Sequence, residues 1–344
     1  MVIKTNITEM LGIKHPIIGA PMGPYYTTKM CVAISEAGGL GMLSHTNLYG
    51  KSSIEEMKKN MEYVIEHTDK PFGFNVRTAR MQPDAPMLCR QISKFIMNNP
   101  KLREQVVYAV TSAGSPRMLP QQKSFQKLKE VSNIKHFHVG PALWLVDKCV
   151  SAGVDGLVCT GTEGGGHQSY EKVSTLVLLQ QVRRKYPDKP LVACGGFATG
   201  LGLAAALTMG CGAIAMGSRF IASEESEFHP NYKAIPPKAK AEDTILVTGF
   251  LGPIRLWKNK YALSHGLVQS KDEKIALEKA MSIEDLIEDQ KHYEMTYDGN
   301  IDEGAVLLGQ SIGLIDDIKP IREIIEGIVK EAEELLKKAP SVVQ

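Results

Sequence analysis

One histidine in this chain stands where an imidazole can reach a bound ligand. His167 follows Gly164-Gly165-Gly166 and precedes Gln168-Ser169. An imidazole exchanges protons near neutral pH and can act as general base or acid. The glycines before it let the backbone run close to a ligand. This separates His167 from His45, His67 and His265, which read as structural or simply exposed. A second signal is the pair Gly195-Gly196 with the pair Gly217-Ser218. Backbone N–H groups at such turns can approach a phosphate closely. Either pair alone reads as a tight turn; two pairs at matching places point to an anion. The segments Ala20-Pro21-Met22-Gly23 and Gly73-Phe74-Asn75 are further turn-forming, polar stretches of the same kind. His138 is a weaker candidate and could equally be a packed histidine.

Other chemistries lack their residues. No metal-ligand spacing is visible. Glu163 and His167 have helical spacing, but three intervening glycines disfavour a helix. The six cysteines, Cys31, Cys89, Cys149, Cys159, Cys194 and Cys211, are scattered without a CxxC pair. They read as small buried hydrophobes in a reducing compartment.

Something must position these groups. Eight short apolar runs, at 16–20, 40–44, 71–76, 106–111, 134–139, 156–160, 190–195 and 213–217, have the length of buried parallel strands. A stretch of helical character follows each of the first seven. One covers 53–66, with Ile54, Met57, Met61, Val64 and Ile65 on one face and Ser53 with Glu56 as a capping box. Others are 142–152 and 173–184. Strand–helix alternation of this kind predicts an α/β fold with parallel pairing, and eight units can close into a (β/α)8 (TIM) barrel. An open doubly wound sheet is the competing architecture. In a barrel the functional face is the carboxyl end of the strands, and the candidate residues all follow strand candidates.

Residues 225–300 carry charges and prolines without regular alternation, and read as a helical insertion covering the barrel mouth. The division is then barrel 1–224, lid 225–300, and a returning segment 301–344. That last segment contains the apolar stripe Ile321, Ile324, Ile325, Ile328, Val329, Ala332, Leu335 and Leu336. Gly200-Leu201-Gly202-Leu203-Ala204-Ala205 matches a dinucleotide fingerprint, but it belongs to the seventh unit rather than the first, and no convincing acidic partner follows. It reads as a small-residue helix packed on the barrel.

With 40 basic and 38 acidic residues the net charge is +2, and no sustained basic run favours nucleic acid. No run of about 18 uncharged apolar residues supports a membrane span, and the amino terminus lacks a signal-peptide apolar core. The expectation is a cytoplasmic protein with a small-molecule substrate; homodimer formation is left open.

These residues resemble the nitronate monooxygenase family, including its NADH:quinone reductases and, more distantly, FMN-dependent enoyl reductases. The similar stretches are Gly19-Ala20-Pro21-Met22-Gly23, Ala37-Gly38-Gly39-Leu40-Gly41, Phe74-Asn75-Val76, Glu163 to His167, Gly195-Gly196-Phe197-Ala198, Met216-Gly217-Ser218-Arg219-Phe220 and Gly309-Gln310-Ser311-Ile312-Gly313-Leu314. The resemblance implies non-covalent FMN. Met22 and Asn75 match positions at the flavin ring, Gly195, Gly196, Gly217 and Ser218 the phosphate cradle, and His167 the active-site histidine. Ala20, Pro21, Gly23, His138, Gly165 and Gly166 join the expected cofactor contacts. Two departures stand out: Gln168-Ser169 follows the histidine, and Val139 replaces a frequent lysine. The expected activity is oxidation of an alkyl nitronate with proton transfer by His167. The alternative is an NAD(P)H-dependent reductase acting on a quinone or an enoyl thioester.

Overall fold

The structure is a computed structural model that describes residues 3–249 and 252–342. Its strands are β1 (Ile17–Gly19), β2 (Gly41–Leu43), β3 (Phe72–Arg77), β4 (Val106–Ser112), β5 (Lys135–Gly140), β6 (Gly156–Thr160), β7 (Gly166–His167), β8 (Leu191–Cys194), β9 (Ala213–Met216), β10 (Thr244–Gly249) and β11 (Gly252–Trp257). Eight of them form one parallel sheet in the order β1-β9-β8-β6-β5-β4-β3-β2. Leu40 closes the ring, donating its N–H to the Ile17 carbonyl and accepting from the Gly19 N–H, both at 2.9 Å. The open-sheet alternative is thereby excluded, and each of the eight predicted runs supplies one barrel strand.

The apolar runs have their physical cause in burial on both faces. Ile18, Met42, Tyr108, Val110, Phe137, Val158, Val192, Ala213 and Ala215 point inward and fill the barrel. Ile17, Leu157, Cys159, Ala193 and Ile214, one position away, meet the helices outside. The amino-terminal end is plugged by Ile7, Leu11 and Ile13. The helix Asn6–Leu11 is held there by a Thr5–Thr8 capping box, with the Thr5 hydroxyl donating to the Gly212 carbonyl at 2.6 Å. The other end of the barrel stays open.

A helix follows each of the first seven barrel strands. The one at Ser53–His67 begins a residue earlier in its capping than predicted. Its N-cap is Ser52, whose hydroxyl accepts from the Glu55 N–H, while Ser53 donates to Asp84 instead. Helix Ile321–Lys338 packs on helices Thr28–Glu36 and Gly200–Thr208 and completes the outer ring. Its stripe Ile321, Ile324, Ile325, Ile328, Val329 and Ala332 is buried. The dinucleotide-like segment lies in this interface. A Cβ on Gly200 would stand 2.5 Å from the Glu331 Cβ, and the Gly200 N–H donates to the Glu331 carboxylate at 2.6 Å.

The segment after β9 contains helices, Lys271–Ala280 and Ile283–Tyr297 among them, but is not helical throughout. β10 and β11 form an antiparallel hairpin, and β11 pairs in turn with β7. The hairpin escapes pattern reading because Arg255, charged, sits buried in the middle of β11. Among the described residues, no helix is long and apolar enough to cross a membrane.

Candidate active site

A cavity of about 820 Å³ opens at the carboxyl end of the barrel strands. Ala20, Asn75, Ser112, Val139, Thr160, Cys194 and Met216 line it, each at the end of its own strand. Of the sequence-predicted residues, Ala20, Pro21, Met22, Gly23, Asn75, Gly165, Gly166, His167, Gly195, Gly196, Gly217 and Ser218 come together in this one wall. His138 does not. Its neighbours Phe137 and Val139 belong to the barrel interior, so strand alternation turns His138 outward. There it is fully buried, with Nδ1 2.6 Å from the Thr111 hydroxyl, which also contacts His136 Nε2 at 2.8 Å. Burial, then the neighbouring His136, pushes its pKa down to about 3.

The glycine run before His167 has a steric reason for two members and a conformational one for the third. A Cβ on Gly164 would meet Gln168 Nε2 at 2.6 Å, and one on Gly165 would meet the Gly309 nitrogen at 2.7 Å. Gly166 has φ +77°, in the left-handed region. Glu163 anchors the loop from the other side: its carboxylate accepts from the Thr175 N–H and hydroxyl, both at 2.8 Å. Gln168, which departs from the family pattern, donates its side-chain amide to the Gly164 carbonyl and its backbone N–H to the Pro253 carbonyl, both at 2.8 Å. His167 itself pairs with Ile254 of β11. Arg255 locks the hairpin to the loop through the Thr162 carbonyl at 2.6 Å. The proton-transfer candidate is therefore presented by a short β-pairing, not by a free loop.

The imidazole of His167 is held neutral. Burial, then the positive charges of Arg77 and Lys274, push its pKa down to about 3. A neutral ring can accept a proton at pH 7. Three buried polar atoms in this wall lack a protein partner: His167 Nε2, Gln168 Oε1 and Arg77 Nε. Each such atom costs about 1–3 kcal/mol if nothing meets it.

The residues present fit an FMN. Gly195 and Gly196 have φ +85° and +89°, so backbone rather than side chain faces the cavity there. A Cβ on Gly217 would meet only Ala20 and Met22, at 3.7 Å and beyond. No protein atom demands a glycine at that point, so the missing side chain leaves room for something else. The Asn75 amide nitrogen is tied to the Val110 carbonyl (3.0 Å) and the Ser112 hydroxyl (3.1 Å), leaving its oxygen for the cavity. Gly23 is steric in origin, since a Cβ would stand 2.7 Å from the His45 carbonyl oxygen.

Sequence reasoning missed Arg77 and Lys274. Arg77 lies two positions beyond Asn75 on β3, so the alternation that puts Asn75 in the wall puts Arg77 there too; that signal was readable. His45 backs it, with Nδ1 accepting the Arg77 N–H at 3.1 Å and Nε2 3.2 Å from Asp84. Burial opposes the Asp84 charge, but hydrogen bonds from His45, Ser53 and Gln82 hold its carboxyl below the ordinary range. Lys274 arrives from a helix about 100 residues downstream of His167, and no local pattern announces it. Cys194, read as a buried hydrophobe, lines the cavity, and burial raises its thiol pKa.

The chain is similar to known proteins over nearly its whole length. The sequence profile described as nitronate monooxygenase matches residues 4–331. The chain is similar to a 5-hydroxy-7a-methyl-1-oxo-octahydro-1H-indene-4-carboxyl-CoA dehydrogenase of Rhodococcus jostii, 30% identical over 362 residues and 96% of each chain. A probable nitronate monooxygenase of Staphylococcus saprophyticus is 25% identical over 98% of this chain and all of its own. Among solved structures, FabK from Thermotoga maritima is 31% identical with a TM-score of 0.78, over 99% of this chain and 100% of that one. Nitroalkane oxidase from Streptomyces ansochromogenes, 21% identical with a TM-score of 0.74 over 97% and 99% of the two chains, shares the fold. On the match across 4–331, the barrel and its strand-end wall, this chain belongs to the nitronate monooxygenase family of oxidoreductases, whose members are generally FMN-dependent.

Proposed function

We propose that this chain is an FMN-dependent oxidoreductase acting on a thioester of a phosphate-bearing carrier, with His167 handling the proton. The observation that carries this reading is the charge of the cavity wall. Arg77, Arg80, Arg117, Lys148, Lys271 and Lys274 line it, and among the described residues no Asp or Glu does. The chain as a whole is nearly balanced, 40 basic against 38 acidic residues, so this segregation is local. It marks a site for anions.

One phosphate does not account for it. The Gly195-Gly196 and Gly217-Ser218 turns follow β8 and β9, whereas Arg80 follows β3 and Arg117 follows β4. In the closed sheet order these strands stand across the ring from each other. The glycine side would hold the FMN phosphate, with Met22, Gly23, Asn75, Gly165 and Gly166 along the ring system. The cationic side would hold a second anion, which a phosphate-bearing thioester or NAD(P)H brings and an uncharged quinone does not. The similarity to a carboxyl-CoA dehydrogenase supports the thioester.

When bound, FMN supplies electron-transfer chemistry that no side chain here offers. His167, whose imidazole lines the cavity, accepts a proton from the carbon beside the thioester carbonyl, or returns one in the reductive direction. Arg77 and Lys274 stabilise negative charge developing on the carbonyl oxygen. Lys271, Lys274 and Ile275 from segment 225–300 cover the cavity and limit water access.

Nitronate oxidation is the competing reading. Anaerobic titration of the FMN-loaded protein with NADH, NADPH, an acyl-CoA, an enoyl-CoA and a nitronate, followed by flavin absorbance, separates the two. Bleaching by acyl-CoA, or bleaching by a nicotinamide and recovery with enoyl-CoA, is expected. A flavin silent to every thioester but bleached by the nitronate would overturn the proposal.

A further inference from the structure

We infer that the rim of the cavity contains an adenosine-nucleotide subsite built on Trp144. Trp144 stands near the start of helix Leu143–Ser151, lines the cavity and is 39% exposed. A large aromatic left half in water needs a reason. Its ring is not loose: Nε1–H donates to Glu171 at 2.6 Å. One helical turn on, Lys148 places its ammonium 4.8 Å from the ring centroid. The result is an oriented aromatic plate with a cation over one face.

Two more cations belong to the wall of the same cavity. Arg117 comes from the segment after β4 and Lys271 from the inserted segment, and both line the same cavity as Tyr170. Among the described residues, no carboxylate lies within ion-pair distance of Arg117, Lys148 or Lys271. A fixed indole plate offers stacking to a purine, and the surrounding cations offer neutralisation to its phosphates. Neither feature alone identifies a ligand, but an adenosine carrying phosphates uses both. That chemistry is shared by CoA thioesters and nicotinamide dinucleotides. The inference rests on the proposed function only for which of these the enzyme uses.

The test is calorimetric titration of the FMN-loaded protein with adenosine 3′,5′-bisphosphate, ADP-ribose and inorganic pyrophosphate. At least one nucleotide should bind more tightly than pyrophosphate, and binding should weaken with salt. Trp144→Ala should weaken the nucleotide by about tenfold, while Trp144→Phe, which keeps a stacking face and the fold, should lose much less. Lys148→Ala and Arg117→Ala should weaken nucleotide and pyrophosphate alike. A preference for the bisphosphate identifies a CoA-type source, and a preference for ADP-ribose a dinucleotide. Unchanged nucleotide affinity in Trp144→Ala, or pyrophosphate binding as tight as either nucleotide, would overturn the inference. If thioesters turn over with an unchanged KM in Trp144→Ala, the subsite fails and the thioester reading stands. If nucleotides bind through Trp144 but no thioester reacts, the subsite stands and the thioester reading fails.

Discussion

At the scale of single residues, the question is what each group contributes to ligand or to chemistry. His167→Ala should keep FMN bound and lose about 10²–10⁴-fold in turnover, the usual share of general acid–base help. Stopped-flow measurement of the two half-reactions is the check; reduction by NAD(P)H should suffer less than the step that moves a carbon-bound proton. The pKa of about 3 adds a signature. A base that stays neutral below pH 6 gives no acidic limb near 6.5 in kcat/KM; a limb there that the alanine variant abolishes would keep His167 as the base and contradict its lowered pKa. Gly217 makes a second test. Because a Cβ there meets only van der Waals neighbours, Gly217→Asp should leave the apoprotein's melting temperature nearly unchanged. Its carboxylate beside the phosphate should weaken FMN by more than about tenfold, or about 1.4 kcal/mol. Flavin titration of the variant reads this directly, and an unaltered Kd would remove this turn from the cofactor site.

At the scale of elements, the site depends on a contact between the glycine loop, the β10–β11 hairpin and the segment at Leu308–Gly309. Gly165 lies in the tightest part of it. Gly165→Ala must push the Gly309 backbone away, and an overpacked site of this kind costs about 1–3 kcal/mol. Gly327 provides the contrast. It lies inside helix Ile321–Lys338, and a Cβ there would have nothing within 4 Å. Gly327→Ala should stabilise by about 0.5–1 kcal/mol, from helix propensity alone. Urea unfolding of both variants tests the pair. Equal shifts would mean that the loop gives way freely and does not hold His167 in place.

At the scale of the whole molecule, the barrel buries histidines that never face the cavity. His136 and His138 share the Thr111 hydroxyl behind β4 and β5. Burial first, with smaller charge effects after it, lowers them from 6.5 to about 4 and about 3. The unfolded chain therefore takes up protons before the folded one does. Stability is full above about pH 6.5 and falls as the pH drops toward 4. At about pH 5.5 each buried histidine costs about 1.4 kcal/mol relative to neutral pH. Denaturant midpoints of the apoprotein between pH 7.5 and 5.5 should show this decline, and His138→Gln should lessen the slope by about one proton. A midpoint that rises on acidification would refute the burial argument.

Much was legible before any coordinates because strand–helix alternation is a local property. A strand buried on both faces must be apolar along its length, as in β6 and β9, and a turn that brings backbone to a ligand must be glycine, as at Gly195 and Gly196. Those demands are written residue by residue, so the barrel and most of its wall could be read from order and spacing. His138 shows the limit: one position along β5 separates the cavity from the helix layer, and only the closed sheet assigns the face. The hairpin on which His167 pairs was hidden because a buried arginine interrupts its pattern, with hydrogen bonds to Thr244 across the hairpin and to Thr162 from distant chain. The charge of the wall was equally invisible. Arg77, Arg117, Lys148 and Lys274 are scattered along the sequence, and ring closure with the returning segment gathers them around one cavity, since electrostatic fields depend on distance in space and not along the chain.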